Sequence, residues 1–344
     1  MTSNFTAHRP PPRALALFSG GLDSQLAVCL LRDQGVEIEG IAFTSPFFNA
    51  ATAIKAAQHL NLHLHVKDFT DNILSLLDRP KYGFGAGLNP CIDCHAAMFR
   101  QAGTIMRERG LNFLVSGEVL NQRPKSQNRQ ALQIIANESG YGNVLLRPLS
   151  AQLLPPTEPE QNGLVDRTRL LGLEGRNRKP QMFLAEKFGL SFYPQPAGGC
   201  LLADRAYGMK LRELRDHEGL GNLSFINRLR IGRHFRLPPG EHAYGLRLII
   251  GRNHEENLLI EKDICPGEFL IRPVAAPGAS GILAAGATPE EISLATAVCA
   301  HFSDYPPEQP AEMLIRSSDT DPKHIKVVPL SDIEIEQLRI LPQH

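Results

Sequence analysis

Residues 14–30 read ALALFSGGLDSQLAVCL, a short apolar run followed by a glycine-containing turn and a segment with spaced leucines. The leucines recur at helical spacing, which predicts a strand over residues 14–18 and a helix over residues 22–34. Backbone N–H groups at the start of such a helix point toward the turn and favour an anion there. The stretch therefore predicts a phosphate site between the first strand and the first helix.

The residues of this turn suit a phosphate ligand. Gly20 and Gly21 let the backbone approach phosphate oxygens, and the hydroxyls of Ser19 and Ser24 can donate hydrogen bonds. Asp23 is the acidic member, and beside phosphates it is a candidate partner of Mg²⁺ or of a helix N–H. A turn that merely caps a helix is the alternative.

Short apolar runs alternate with helical patterns through the first half of the chain. Further strands are predicted over residues 36–43, 62–66, 113–116 and 144–146. The alternation predicts an α/β fold with a doubly wound parallel sheet, in which ligands lie at the carboxyl ends of the strands. The second half predicts a smaller α+β module, with strands over 245–251, 257–261, 268–272 and 325–328 and a helix over 289–300.

Length and composition restrict the organisation of the chain. Its 344 residues exceed one usual core, and the pattern divides them into a flexible N-terminus 1–12, a nucleotide-binding domain 13–195, a connecting segment 196–230 and a module 231–344. The net charge is +0, so any RNA site must be a local patch. No apolar run reaches the length of a signal core or a membrane span, which predicts a cytoplasmic protein without a membrane partner.

Three of the six cysteines form a candidate metal or thiol site. Cys91 and Cys94 precede a predicted helix over residues 96–109, and Cys200 follows two glycines. Three thiolates are too few for structural zinc but enough for an iron–sulfur cluster with one open iron. A zinc site completed by His95, a redox pair of Cys94 and Cys200, and buried thiols are the alternatives. The remaining cysteines are predicted to be packed: Cys29, Cys265 and Cys299.

Residues 167–236 contain 14 lysines and arginines against 6 aspartates and glutamates. This local excess of eight positive charges is of the size that an RNA patch requires.

The turn carries the full SGGxDS signature, by which the chain is identified as a member of the PP-loop ATP pyrophosphatases. The resemblance implies an adenine nucleotide alpha hydrolase-like fold and cleavage of ATP to AMP and pyrophosphate, with AMP transiently on the substrate. It also implies that Phe43 faces the adenine. The Gly117-Glu118 turn resembles one that lies near the nucleotide in 4-thiouridine synthetases. Glu118 itself is a candidate general base, metal partner or helix cap.

Asn89-Pro90-x-x-x-Cys94 resembles the loop that carries the catalytic cysteine of tRNA 2-thiouridylases, and Cys200 matches their second cysteine. Cys91 is an addition to that pattern. Three cysteines resemble the cluster-dependent tRNA thiolases, in which a [4Fe-4S] cluster holds the incoming sulfide. The resemblance implies Cys91, Cys94 and Cys200 as ligands, tRNA as partner, and sulfide or a persulfide carrier as sulfur donor.

The second half resembles the RNA-binding module of ribosome-quality-control factors. The resemblance rests on Gly232-Arg233-His234-Phe235, on Gly251-Arg252-Asn253-x-x-x-Asn257-Leu258 and on Pro277-Gly278, and it covers roughly residues 230–330. The sequence leaves open a homodimer. It also leaves open two other functions, a PP-loop ligase that delivers nitrogen to a small molecule and a non-catalytic, ATP-gated RNA-binding adaptor.

Overall fold

The computed structural model describes residues 10–195, 199–306, 309–318 and 321–340. Residues 1–9 of the predicted flexible N-terminus and residues 196–198 of the predicted connecting segment lie outside the described residues. The chain divides into two compact units, Met1–Asp204 and Arg205–His344. The finer domain limits stay a prediction.

The first unit is built on a parallel five-stranded sheet. Its strands are β1 (Arg13–Leu17), β2 (Glu37–Thr44), β3 (Leu64–Asp68), β4 (Phe113–Ser116) and β5 (Leu145–Leu146). Its α-helices are α1 (Leu22–Arg32), α2 (Ala51–His59), α3 (Thr70–Asp78), α4 (Cys91–Glu108), α5 (Arg129–Ser139), α6 (Glu158–Gln161) and α7 (Lys179–Lys187). This architecture confirms the predicted α/β class.

The strand order of this sheet, β3-β2-β1-β4-β5, creates the crevice in which ligands bind in such folds. The chain first adds strands on one side of β1 and then continues on its other side with β4. The loops that follow β1 and β4 therefore begin side by side at the carboxyl edge. The apolar run of β1 is buried, with Ala14 and Leu15 fully inaccessible, because strands pair on both of its sides and α1 and α4 pack against it.

The second unit contains an antiparallel six-stranded sheet in the order β11-β10-β8-β9-β7-β6. The strands are β6 (Arg233–Arg236), β7 (Arg247–Ile250), β8 (Phe269–Pro273), β9 (Gly281–Leu283), β10 (Ala311–Ser317) and β11 (Lys323–Val327). The α-helices are α8 (Arg205–His217), α9 (Leu223–Arg228), α10 (His254–Lys262), α11 (Pro289–His301) and α12 (Asp332–Leu338). The predicted α+β class of this module is confirmed. Within the described ranges, no helix combines the length and apolar character that crossing a membrane requires.

One predicted strand of the second unit is wrong. Residues 257–261 lie inside α10, because Asn253 caps the helix by accepting a 3.0 Å hydrogen bond from the Glu256 amide, and Glu255 and Glu256 favour its first turn. The apolar run Leu258-Leu259-Ile260 has no period of its own, so the capping residue before it was the informative signal.

Candidate active site

Residues 19–24 form the loop between β1 and α1 at the carboxyl edge of the parallel sheet. Gly20 has a φ of +75°, and a Cβ on it would lie 2.5 Å from the main-chain oxygen of Thr52. Only glycine fits that position without strain. The Ser24 hydroxyl donates a 2.8 Å hydrogen bond to the Gly21 carbonyl, which holds the turn against the helix. The predicted strand, turn and helix are confirmed at this place.

Gln25 fixes the loop from the inside. Its Nε2 donates hydrogen bonds to the carbonyl oxygens of Gly20 at 2.8 Å and Phe192 at 2.9 Å. Gly21 is the N-cap residue of α1 and has no side chain with which to cap it. The first N–H groups of α1 are therefore left for a ligand, and an anion suits them.

Gly117 brings the end of β4 to the same loop. A Cβ on Gly117 would lie 2.6 Å from the amide nitrogen of Ser24 and 2.7 Å from the carbonyl carbon of Asp23. The missing side chain thus allows the loop after β4 to touch the first turn of α1. The structure brings this predicted residue to the loop of residues 19–24, named the phosphate loop. The contact of Gly117 with a nucleotide stays a prediction.

Asp23 is half-buried, and one of its carboxylate oxygens is buried without a hydrogen-bond partner in the described part of the chain. Among the described residues, none offers a hydrogen bond to its Oδ1. Burial raises the pKa of Asp23, against the lowering effects of Gln122, Arg178, Arg123 and Gln181. A buried acceptor without a partner is costly unless a ligand or an ion satisfies it. The four neighbours of Asp23 were not found from the sequence, because they come from segments about a hundred or more residues away.

Phe43 lies near the end of β2 and is 7% exposed. Its ring centroid is 5.2 Å from that of Phe69, with the rings tilted by 54°. The structure therefore gives Phe43 a core contact beside the carboxyl edge, and the adenine contact implied by the resemblance stays a prediction.

Asn89 organises the loop that leads to the cysteines. Its Oδ1 accepts a 3.1 Å hydrogen bond from the Gly87 amide, its carbonyl accepts one of 2.9 Å from the Gly85 amide, and its Nδ2 donates one of 3.0 Å to Cys91 Sγ. A Cβ on Gly85 would lie 2.4 Å from the Asn89 side chain. One amide group therefore ties the glycine-rich loop to the first thiol.

The same loop also receives the segment of Cys200. The Leu88 amide donates a 3.0 Å hydrogen bond to the Leu202 carbonyl, and a Cβ on Gly87 would lie 2.4 Å from that oxygen. Close approach of the two backbones thus requires glycine at residue 87. In this way the fold brings Cys200 to the start of α4.

The three predicted thiols meet at the first turn of α4. Burial raises the pKa of Cys94 well above its usual range, and the neighbouring Cys200 and Cys91 raise it further. Burial likewise raises the pKa of Cys200 to about 11. Thiols with such pKa values keep their protons at neutral pH unless a metal replaces them. The site therefore suits a cationic or metallic ligand better than free thiolates.

The spacing of these thiols restricts what they could hold. Among the described residues, the three sulfur atoms do not form a set that lies within 4.8 Å of one another. Sulfur ligands of one zinc ion, with bonds of about 2.3 Å, lie within about 4.6 Å of one another. At least one of the three sulfur–sulfur distances therefore exceeds this span.

Glu118 joins the thiol site to the sheet edge through a buried ion pair with Arg147 and a close contact with His95. Its Oε1 is 2.8 Å from His95 Nδ1, and its Oε2 accepts a 2.8 Å hydrogen bond from Arg147 Nε. Burial alone would raise the pKa of Glu118, but Arg147 and His95 outweigh it and lower the pKa to about 2. Both oxygens have partners, so Glu118 holds His95 and Arg147 in place. Its roles as general base, metal partner or helix cap stay predictions. Sequence reasoning missed Arg147, which lies beyond β5.

A second polar cluster lies toward the amino ends of the strands, away from this site. Glu39, His63 and His65 have ligand atoms within 4.8 Å of one another. The Glu39 carboxylate already pairs with Arg109 at 2.7 Å and Arg13 at 3.2 Å. Two arginines on one carboxylate disfavour a cation there, so we interpret the cluster as an ion-pair network.

Several arginines of the predicted RNA patch form ion pairs within the protein. Arg228 has a side chain that is 3% exposed and pairs with Asp263 at 2.8 Å and Glu268 at 2.6 Å. Arg236 pairs with Glu213 at 2.7 Å and Glu218 at 2.6 Å. These two arginines therefore stabilise the second unit and are not free phosphate contacts.

Two family models match parts of the chain. Residues 11–152 match the family model described as thiamine biosynthesis protein (ThiI), and residues 232–339 match the one described as NFACT protein RNA binding domain. Both resemblances that the sequence motifs suggested, the PP-loop domain and the RNA-binding module, are confirmed.

Curated relatives share the first of these parts. A tRNA-specific 2-thiouridylase MnmA of Pelobacter propionicus is 30% identical over 40% of this chain and 41% of its own. A tRNA sulfurtransferase of Desulfurococcus amylolyticus is 28% identical over 40% of this chain and 29% of its own. The chain thus spans less than half the length of these two relatives. A further MnmA, of Methylobacterium nodulans, is 25% identical over 69% of this chain and 68% of its own.

A solved structure of a 4-thiouridine synthetase in complex with RNA and ATP is also similar. It is 20% identical, covers 64% of this chain and 51% of its own, and has a TM-score of 0.37.

Proposed function

We propose that the protein is an ATP-dependent tRNA sulfurtransferase that makes a thiouridine. The observation that supports this most strongly is the meeting of two sites at one edge of the sheet. The loop of residues 19–24 ends β1, and the three thiols reach the same edge through the 2.8 Å contact between His95 and Glu118, which follows β4. Nucleotide activation and sulfur chemistry can then act on one substrate atom.

In the proposed reaction, a uridine oxygen attacks the α-phosphate of ATP. The new oxygen–phosphorus bond forms as the bond to pyrophosphate breaks, which leaves an adenylated base. Sulfide then attacks the carbon that bears this oxygen, AMP leaves with the oxygen, and the proton of the sulfide passes to solvent. Adenylation is needed because the carbonyl oxygen is a poor leaving group and AMP is a good one. Donors at the start of α1 stabilise charge on the phosphates.

Asp23 is the residue that we assign to Mg²⁺. Its buried Oδ1 lacks a partner among the described residues, and carboxylate oxygens are preferred ligands of this ion. Mg²⁺ beside the phosphates would neutralise both the carboxylate and the pyrophosphate that departs.

The thiols of Cys91, Cys94 and Cys200 fit the donor set of a [4Fe-4S] cluster with one open iron, and such a cluster supplies a bound sulfide when it is present. The residues of the chain orient and bury these ligands. Asn89 holds Cys91, and the backbone contact between Leu88 and Leu202 holds the segment of Cys200. Cys94 and Cys200 are also the residues that we assign to sulfur transfer.

The partners follow from this assignment. tRNA is the acceptor, and the match of residues 232–339 to an RNA-binding domain supports it. Sulfide or a persulfide carrier is the donor. The cytoplasmic location and the homodimer stay predictions.

Two measurements test the proposal together. Protein purified without oxygen is expected to contain about four irons per chain, and Cys91→Ala, Cys94→Ala and Cys200→Ala are each expected to lose them. The wild-type protein is expected to release pyrophosphate from ATP only when tRNA is present. Iron-free wild-type protein would overturn the assignment of a [4Fe-4S] cluster. Pyrophosphate release that does not depend on tRNA would overturn the assignment of tRNA as the substrate.

A further inference from the structure

Helix α7 has apolar residues on both of its faces. Its inner face packs against the core of the first unit through Ala185, and Gln181 is 1% exposed. Its outer face carries Met182, which is 54% exposed, and Phe183, which is 69% exposed. Single exposed apolar side chains are common on protein surfaces, whereas two large adjacent ones on a helix indicate an interaction site.

Positive charge surrounds this apolar pair. Lys179 and Lys187 lie on the same helical face as Phe183, at spacings of four residues on either side, and Arg176 precedes the helix. Within the part of the chain that the structure describes, none of these three cations forms an ion pair. Glu186 is the acidic residue of this face. The face therefore combines phosphate-binding cations with an aromatic ring.

The position of α7 connects this face to the reaction site. Gln181 and Arg178 both act on the Asp23 carboxylate, which lies in the phosphate loop. α7 thus forms a wall of the nucleotide site with its inner face while its outer face meets solvent. A strand of nucleic acid that brings a base to the loop of residues 19–24 would lie next to this helix.

We propose that the outer face of α7, formed by Lys179, Met182, Phe183 and Lys187, docks the RNA strand next to the reacting uridine, with a neighbouring base stacked on Phe183. This inference rests on the proposed function and adds to it the surface that seats the substrate. Aromatic rings stack on any base, and lysines bind the flanking phosphates, so the face suits single-stranded or unstacked RNA. A protein partner or a second copy would not require the flanking cations.

The test uses the full chain, bulk tRNA and four variants. Phe183→Ala is expected to lower kcat/KM for tRNA in pyrophosphate release by about tenfold, which is within the range of base stacking on an aromatic ring, and to leave the KM for ATP unchanged. Phe183→Tyr keeps the ring and is expected to stay within about twofold of wild type. Phe183→Leu keeps the apolar area but not the ring and is expected to behave like Phe183→Ala. Val66→Ala, a change at a side chain that is 44% exposed on β3, is the control.

Each outcome has a distinct meaning. Wild-type protein without tRNA-dependent activity would overturn the proposed function and this inference with it. Active Phe183→Ala protein with unchanged kcat/KM for tRNA would overturn only the docking surface. Full activity of Phe183→Leu would overturn the stacking of a base on the ring. A change of molar mass in light scattering on Phe183→Ala would show that the face binds a second copy of the chain rather than RNA.

Discussion

The phosphate loop and the thiol site fix their residues in opposite ways. The loop is contiguous, and its shape depends on backbone conformation and on glycines that touch other backbone. The thiol site joins Cys200 to cysteines more than a hundred residues earlier, and individual side chains such as Asn89 hold it together. A loop of the first kind fails when one Cβ is added, whereas a site of the second kind fails when one side chain is removed.

The comparison predicts that a substitution can abolish sulfur transfer without abolishing pyrophosphate release. Cys200→Ala is expected to lower sulfur transfer to tRNA at least about 1000-fold, because a group that reacts directly is removed. Pyrophosphate release is expected to stay within about threefold, because the phosphate loop is intact. Paired assays of thionucleoside and pyrophosphate measure both. Cys29→Ala is the control, and an equal fall of both activities in Cys200→Ala would contradict the separation.

Glu118 links the two sites, so its loss should harm the fold around both. Glu118→Gln leaves the Arg147 guanidinium buried without its counter-ion, and we expect a loss of about 3 to 5 kcal/mol in the free energy of unfolding. The control is Glu37→Gln, which removes an exposed pair of 3.7 Å with Arg13 and should cost less than about 1 kcal/mol.

This pair also predicts a pH dependence. The pKa of Glu118 is about 2 in the folded protein, below its ordinary value of 4.5, so its stabilising effect is complete above about pH 4.5 and is lost as the pH falls toward 2. Urea unfolding of the metal-free protein between these pH values should show a steeper loss of stability in wild type than in Glu118→Gln. Parallel curves would contradict the assignment.

Gly20→Ala tests the prediction that one added Cβ disrupts the phosphate loop. The added Cβ meets main-chain oxygen at 2.5 Å and the left-handed backbone disfavours it, so we expect a loss of about 2 to 4 kcal/mol and impaired ATP binding. Gly35→Ala has a similar φ of +82° with open space around it, and it should lose only about 1 kcal/mol. Equal losses in urea unfolding would show that the close approach to Thr52 contributes nothing.

Asn89→Ala should have the smallest effect of the series. It removes the hydrogen bond to Cys91 Sγ and the acceptor of the Gly87 amide but keeps all three thiols. Changes to groups that orient metal ligands typically cost about 10- to 100-fold in metal affinity or activity, and we expect about tenfold in sulfur transfer. Asn137→Ala, at an exposed position on α5, is the control. Unchanged activity in Asn89→Ala would contradict the positioning role.

The sequence was most informative where the site is local. The loop of residues 19–24, the strand before it and the helix after it share one stretch, so pattern and motif together predicted their structure. The approach of Gly117 to Ser24, and the pairing of Glu118 with Arg147, depend on which strands become neighbours. Strand order is a long-range property that no local pattern contains.

Two other predictions differ from the structure for physical reasons of the same kind. The apolar run at 258–260 fits a strand or a helix equally well, and the cap at Asn253 decides for the helix. The charge excess of residues 167–236 counted arginines such as Arg228 as surface charges, although acidic partners outside that window neutralise them. A count of charges along the sequence does not reveal such ion pairs.

The central claim is that ATP activation and thiol chemistry act on one uridine of tRNA. The most direct measurement is mass spectrometry of nucleosides from tRNA incubated without oxygen with the protein, ATP, Mg²⁺ and sulfide. We predict a thiouridine that forms only with ATP and disappears in Cys200→Ala. Unmodified tRNA together with ATP cleavage, or a nitrogen-containing small-molecule product in its place, would contradict the claim.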